Sequence, residues 1–539
     1  MTDSPADAHL LLRALVDEFA RCGMSDACTS PGSRCTPIVL ALAREPRLRA
    51  HSHIDERCAG FFALGLAKRT ERPVAVTCTS GTAAANLLPA VIEAHEARVP
   101  LLVLTADRPP ELRGVGAGQT IDQLKLYGGA VRWFVELGSH DAEAERWIRD
   151  LACRAYWTAC GPKPGPVHLN VPLREPLVLD GPVPDGLGGR SGGRPWLTRR
   201  PAPRPRVDLG EHAPAGTRAV LVAGRSEVEL GLPALAEAAG QPLLADPLSG
   251  ARSGPAAIAG YDALLRKPPR ELTPDLVIRF GELPTSKPLR TWLSRLDEVP
   301  QIAVNSNGQD PAGVVELALE ADSVSALGAA PDGWLSSWRE AEPQPTFGSR
   351  LTEPLVARTL GECLPPEATL WVASSMPIRD VESFWPARVE PPRVLSNRGA
   401  NGIDGTVSSA FGAAAAAGSG PVVLLLGDVA LAHDIGGLLA ARRLGLALTI
   451  VLIDNGGGGI FDFLPVSGER EIFERHVATP TGLSFAAAAN LYGLRHELIE
   501  SAQALREAVL RSLAGGCALL EVQGERSRNV TDHRDVWER

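Results

Sequence analysis

The stretch that most constrains this chain runs from Pro421 to Leu464, PVVLLLGDVALAHDIGGLLAARRLGLALTIVLIDNGGGGIFDFL. An apolar run, Val422 to Leu426, stops at Gly427-Asp428. An amphipathic segment follows to about Leu444, and a second apolar run, Leu446 to Ile453, stops at Asp454-Asn455. Continuous apolar runs separated by a helical period predict a β-α-β unit with buried parallel strands. Asp428 and Asn455 then both sit at strand C-termini, the edge of an open α/β sheet where ligands bind. Four glycines, Gly456 to Gly459, come next. A carboxylate, an amide oxygen and the carbonyls of a glycine-rich turn are hard oxygen donors. They suit Mg²⁺, which takes octahedral oxygen ligands and shares its shell with phosphates and water. The plainer alternative is a pair of strand-capping residues beside a flexible turn. A lone Gly-Asp or a lone glycine run carries little weight, but the two together at this spacing favour a metal–diphosphate site.

At 539 residues the chain has room for three or four domains, each with its own core. A net charge of −9 and a pI near 5.8 present no basic face for nucleic acid or anionic lipid. The opening residues, MTDSPADAHLLLRALVDEF, are acidic where a signal peptide is basic. The uncharged apolar run Leu446 to Ile453 falls far short of the ~20 residues that span a bilayer. Nine cysteines without a CxxC pair predict reduced thiols and a cytoplasmic protein.

Strand and helix signals alternate along the chain, which predicts an α/β fold of open, mostly parallel sheets with helices on both faces. Residues 8–22 have helical apolar spacing. In TSPGSR, Ser33 and Arg34 occupy a turn before a helix, either as an anion site or as a solvated loop. In HIDER, Ile54 lies in a strand-like run and Glu56 opens a long helix, where an acidic residue ordinarily complements the helix dipole. Ser80-Gly81-Thr82 forms a tight strand-to-helix turn ahead of a helix over 83–97, and Gln119 lies in a glycine-rich loop. The turn lacks GxGxxG, so a dinucleotide site is not expected there. Composition divides the chain into domains at 1–180, 207–327 and 351–539, with Gly/Pro-rich linkers at 181–206 and 328–350. Lys287 follows a strand of the middle domain, either as a surface lysine or as a group reaching a neighbouring cleft. In the third domain Ser375, Arg379 and Arg398 fall at strand C-termini, where arginines pair with carboxylates of a substrate or of the protein itself.

Gly-Asp followed a helix and a strand later by Asn resembles the thiamine-diphosphate (ThDP) binding motif. Enzymes with that motif have a pyrimidine-binding, a central and a diphosphate-binding domain. Together TSPGSR, HIDER, TSGTAAAN, TADRPPEL, SNRGANGIDG, GDVALAHD and NGGGGIFDFLP closely resemble the MenD branch of this family. The resemblance implies ThDP as cofactor, with Mg²⁺ or Mn²⁺ held by Asp428, Asn455 and the Gly457 carbonyl. It implies that Glu56 contacts the cofactor's aminopyrimidine and that Ile403 props the bent cofactor, with Ser80, Gly81, Gly427 and Ile460 also touching it. Ser33, Arg34, Gln119, Ser375, Arg379 and Arg398 would bind substrate carboxylates, with Lys287, Ile460, Phe461 and Leu464 lining the cleft. The implied reaction decarboxylates 2-oxoglutarate and adds the four-carbon remainder to isochorismate in a 1,4 fashion, a step of menaquinone biosynthesis. A homodimer or homotetramer is expected, in which the first domain of one subunit faces the third of another.

Two positions depart from the family's pattern: Gly118 and Gly456 stand where Asn is expected. Two rival readings are a carboligase of acetolactate-synthase type and a non-catalytic ThDP-fold subunit. The first has no use for Arg34, Arg379 and Arg398 together; the second has no reason to retain Glu56, Asp428 and Asn455.

Overall fold

The computed structural model describes residues 4–200, 203, 205–418 and 420–537. Residues 1–3 of the first predicted domain, 419, 538 and 539 of the third, and 201, 202 and 204 of the first linker lie outside the described residues. The chain forms two compact units, one of residues 1–201, 397–419 and 433–448 and one of the remainder.

The first unit is built on a six-stranded sheet in the order Arg49–Ser52, Asp26–Thr29, Val74–Cys78, Leu101–Asp107, Pro166–Pro172, Trp133–Glu136. Its strands pair parallel. Strands Asp26–Thr29, Val74–Cys78, Leu101–Asp107 and Pro166–Pro172 are buried throughout, so their apolar runs are continuous rather than alternating. The first helix, Pro5–Cys22, begins three residues before its apolar pattern because Ser4 and Asp7 form a capping box. The expected helix over 83–97 is broken into Thr82–Asn86 and Leu88–Glu96, and Pro89, which lacks an amide, sits in the first turn of the second piece. Ile54 is not in a strand: it is 57% exposed in the turn after Arg49–Ser52.

The long helix Glu56–Thr70 packs against Thr406–Ala414, a helix more than 300 residues later in the chain. Glycine permits the approach: a Cβ on Gly65 would lie 1.9 Å from the Ser409 carbonyl oxygen. Ser409 Oγ donates to the Phe61 carbonyl at 3.1 Å. Residues 397–405 of the SNRGANGIDG stretch accordingly belong to the first unit.

The second unit carries two larger sheets. The central one has the order Leu317–Leu319, Gln301–Val304, Leu276–Phe280, Ala219–Ala223, Leu243–Ala245. Both its faces are covered by apolar clusters. Residues 328–350, Gly/Pro-rich as they are, hold the helix Trp334–Ala341, whose Trp334 and Trp338 are buried; Trp334 Nε1 donates to the Ala219 carbonyl at 2.9 Å. The other sheet runs Arg393–Leu395, Thr369–Val372, Val422–Gly427, Leu448–Asp454, Cys517–Gln523, Arg495–Leu498, with helices Glu353–Cys363 and Met376–Phe384 contributing to its core.

The predicted single helix between Asp428 and Leu444 is three short pieces, Asp428–His433, a 3₁₀ turn Ile435–Leu438, and Leu439–Leu444. Asp434 causes the break. Its buried carboxylate turns away to accept from Ser408 N at 2.7 Å and Ser408 Oγ at 3.1 Å, and Gly436-Gly437 follow. The strand Trp133–Glu136 and the helices Glu145–Ala159 and Arg526–Trp537 match no predicted element. Among the described residues no helix is long and apolar enough to cross a membrane.

Candidate active site

The predicted site residues fall in both units. In the first, Glu56 opens its helix while the neighbouring Asp55 caps it, Oδ1 accepting from the amides of Arg57 at 2.8 Å and Cys58 at 3.2 Å. Glu56 is half-buried, and its charge acts on Cys35 and Cys78, two thiols that burial already pushes up.

Ser80, Gly81 and Gln119 are brought together. Ser80 Oγ donates to the Gln119 carbonyl at 2.9 Å. Gly81, at φ 89°, donates its amide to Gln123 Oε1 at 2.8 Å. The side chain of Arg108 ties the turn to the loop, with Nη1 3.2 Å from Ser80 Oγ and Nη2 3.1 Å from the Gly118 carbonyl. Arg108 and Gln123 were not among the predicted site residues, although Arg108 lies inside the TADRPPEL motif. A Cβ at position 118 would meet nothing within 4 Å.

Ser33 is exposed in its turn, whereas Arg34 is buried. Arg34 Nη1 donates to the Leu173 carbonyl at 2.7 Å and Nη2 to Glu175 Oε1 at 3.0 Å, while its buried Nε has no partner. The Arg34 side chain is buried while Glu175 is largely exposed.

Arg398 and Ile403 lie on the loop held by the long helix. The buried carboxylate of Glu93 grips that loop from both oxygens, accepting from the Gly399 amide at 2.9 Å and the Ala400 amide at 2.7 Å. Such a contact, 306 residues apart in the chain, has no local sequence signal. Glu93→Gln presents an NH₂ group to one of those two amides. It is expected to lower stability by ~1–3 kcal/mol, and thermal unfolding of the variant against the parent checks this.

In the second unit the strand Val422–Gly427 delivers Asp428 at its C-terminal edge, as predicted, and the strand Leu448–Asp454 delivers Asn455. Asp428 is 1% exposed; Oδ1 accepts from the Val429 amide at 2.8 Å and Oδ2 from the Gly457 amide at 2.7 Å. Burial pushes its carboxyl up to about 6 against these hydrogen bonds. Asn455 Nδ2 donates to Glu353 Oε1 at 2.8 Å, and its Oδ1 is buried without a partner. Gly457, at φ 128°, is required as glycine: a Cβ would sit 2.5 Å from the Ala478 carbonyl oxygen. Gly456, at φ 79°, has open space around its Cβ position. Asn tolerates that left-handed conformation too, so this departure keeps the turn's path.

Ser375, at φ 76°, precedes the helix Met376–Phe384, and the Arg379 guanidinium donates to its carbonyl. Ile460 lies in the 3₁₀ turn Gly459–Phe463 with Phe461, and Phe461 and Leu464 leave large apolar surfaces exposed. Lys287 is exposed at the start of the helix Lys287–Leu293.

This donor set suits a hard divalent cation bound with a diphosphate. It offers one buried carboxylate, one orphaned amide oxygen and a turn that only glycine can follow. Among the described residues no three His, Cys, Asp or Glu side chains form a metal cage of their own.

Comparison with known proteins bears on this arrangement. Residues 11–126 match the family model for the thiamine pyrophosphate enzyme N-terminal TPP binding domain, and residues 380–522 that for the C-terminal TPP binding domain. The chain is 45% identical to 2-succinyl-5-enolpyruvyl-6-hydroxy-3-cyclohexene-1-carboxylate synthase of Geobacillus kaustophilus, over 97% of this chain and 96% of that one. It is 43% identical to the synthase of Chloroflexus aurantiacus, over 97% and 95%, and 42% identical to that of Myxococcus xanthus, over 99% and 98%. With parallel α/β sheets presenting the Gly-Asp and Asn ends, and with relatives this similar over nearly the whole length, the chain belongs to the MenD family of thiamine-diphosphate enzymes.

Proposed function

We propose that this protein is a 2-succinyl-5-enolpyruvyl-6-hydroxy-3-cyclohexene-1-carboxylate synthase, joining 2-oxoglutarate to isochorismate with loss of CO₂ in menaquinone biosynthesis. The observation that carries the reading is the buried Asp428 carboxylate beside the Gly457 turn, with the unpartnered Asn455 Oδ1 at the next strand's tip. Asp428, Asn455 Oδ1 and the Gly457 carbonyl would hold Mg²⁺ or Mn²⁺ against the cofactor diphosphate, and Gly427 and Ile460 flank them. Bound ThDP supplies an electron sink for making and breaking carbon–carbon bonds next to a carbonyl.

The chain's own residues do the rest. Glu56 Oε moves a proton to and from a ring nitrogen of the aminopyrimidine, while Ser80, Gly81 and Ile403 set the cofactor's position. The two substrates bring four carboxylates, and Ser33, Arg34, Gln119, Ser375, Arg379 and Arg398 are the donors proposed to orient them. Lys287, Phe461 and Leu464 line the same cleft in this reading. Residues 1–180 form its pyrimidine-binding domain, 207–327 its central domain and 351–539 its diphosphate-binding domain. The protein acts in the cytoplasm as a homodimer or homotetramer.

The test is product formation from 2-oxoglutarate and isochorismate, followed by absorbance and mass spectrometry, with ThDP and Mg²⁺ added or withheld. A six-ring adduct that keeps the enolpyruvyl group and forms only with both cofactors supports the reading. Decarboxylation without adduct would replace isochorismate by another acceptor. Arg398→Ala is expected to raise KM for one carboxylate substrate roughly 10–150-fold, the worth of a charged hydrogen bond, and to leave the other within a few-fold. Equal activity of variant and parent on both substrates would move the carboxylate pocket elsewhere.

A further inference from the structure

Asn455 presents two chemically opposite ends, and only the oxygen can bind a cation. Its side-chain geometry alone does not decide which end faces outward; a neighbour must. That neighbour is Glu353. It is the first residue of the helix Glu353–Cys363, a helix capped by Thr352 and packed into the core of the Thr369–Val372 sheet. Its side chain is nearly buried, and Oε1 accepts from Asn455 Nδ2 at 2.8 Å. Oε1, the oxygen that faces Asn455, acts as an acceptor, so it selects Nδ2 and leaves Oδ1 as the buried acceptor with no partner. Behind it, Asp380 pairs with His533 at 2.5 Å, and His533 Nδ1 lies 2.8 Å from the Asn529 carbonyl. His533 interacts electrostatically with Glu353 as well as with Asp380.

We propose that Glu353 is the positioning residue of the metal site: it sets the direction of the Asn455 amide, so that oxygen rather than NH₂ meets the ion. The proposal rests on the assignment of Asn455 as a metal ligand. Groups that orient a metal ligand through its far side contribute substantially to affinity without touching the ion. Glutamine at 353 has the same shape but both donor and acceptor ends, so it accepts either direction of the Asn455 amide.

The experiment measures Mn²⁺ affinity of the full-length protein at saturating ThDP, from the electron paramagnetic resonance signal of free Mn²⁺. It compares the parent, Glu353→Gln, Asn455→Ala and the double variant, with circular dichroism and thermal unfolding as controls for folding. Glu353→Gln is expected to weaken Mn²⁺ binding ~10–100-fold. In the Asn455→Ala background the same change is expected to shift affinity by no more than ~2-fold, because Glu353 then has no amide to direct. An affinity of Glu353→Gln within ~2-fold of the parent overturns the proposal. So does an equal loss in both backgrounds, which is what a merely structural role would give. If Glu353→Gln does not fold, Glu353→Asp withdraws the acceptor by one methylene and is expected to give the same pattern. Parent-like affinity of Asn455→Ala would instead overturn the metal-ligand reading itself, a failure distinct from that of Glu353.

Discussion

Glu56→Gln is expected to leave the fold and ThDP binding nearly unchanged and to cut turnover by ~10²–10⁴-fold, the contribution typical of a positioned acid–base group. The fold survives because Asp55, not Glu56, satisfies the free amides at the start of the helix. Glutamine also keeps the size of the half-buried side chain. What is lost is the proton-accepting oxygen. Steady-state rates with both substrates, together with ThDP affinity from calorimetry, separate the two effects. Turnover within a few-fold of the parent would remove Glu56 from proton transfer.

Asp428→Ala is expected to weaken Mg²⁺-dependent ThDP binding by at least ~10²-fold, at or beyond the upper end of what losing an outer hydrogen-bond partner costs. Without Mg²⁺, parent and variant are expected to bind ThDP alike. Titrations of ThDP with and without the metal decide it, and equal affinities in Mg²⁺ would refute the assignment. The same residue predicts a pH dependence. Burial pushes the Asp428 carboxyl up to about 6, and an ion requires the deprotonated form, so Mg²⁺-dependent ThDP affinity should fall as pH drops below that value. For the metal-free protein the sign reverses. A folded-state pKa above the ordinary value of 3.8 favours the folded state below that ordinary value, and this contribution is lost as pH rises through about 6. Asp428→Asn presents an NH₂ group to the Val429 or Gly457 amide at every pH, so it is the Tm difference between metal-free variant and parent that is expected to move in the variant's favour as pH rises from ~4 to ~6; a Tm–pH series of both proteins checks this.

Much of this architecture is legible in the order of residues. Buried parallel strands read as uninterrupted apolar runs, so the strand at Val422 and the strand ending at Asp454 are visible, and with them the positions of Asp428 and Asn455 at the sheet's edge. The motifs around Glu56, Ser80 and Arg398 are equally plain, because each is a short run with its own turn and helix signals. Periodicity fails where a side chain leaves its own element. Asp434 breaks a helix whose amphipathic pattern is continuous, since its carboxylate is drawn to Ser408, a residue of another helix. The tryptophans at 334 and 338 turn a Gly/Pro-rich stretch into a packed helix because the core of the central sheet accepts them.

The sequence by itself determined the α/β class, the strand tips and the chemical identity of the donors, because these depend on patterns only a few residues long. Only the tertiary structure decided that the Arg398 loop rides on the Glu56 helix, gripped by Glu93 and let in by Gly65. It also decided that Asn455 turns its nitrogen to Glu353, 102 residues earlier in the chain. Hydrogen bonds at such separations depend on how whole helices pack, and no local pattern records where a distant carboxylate will come to rest.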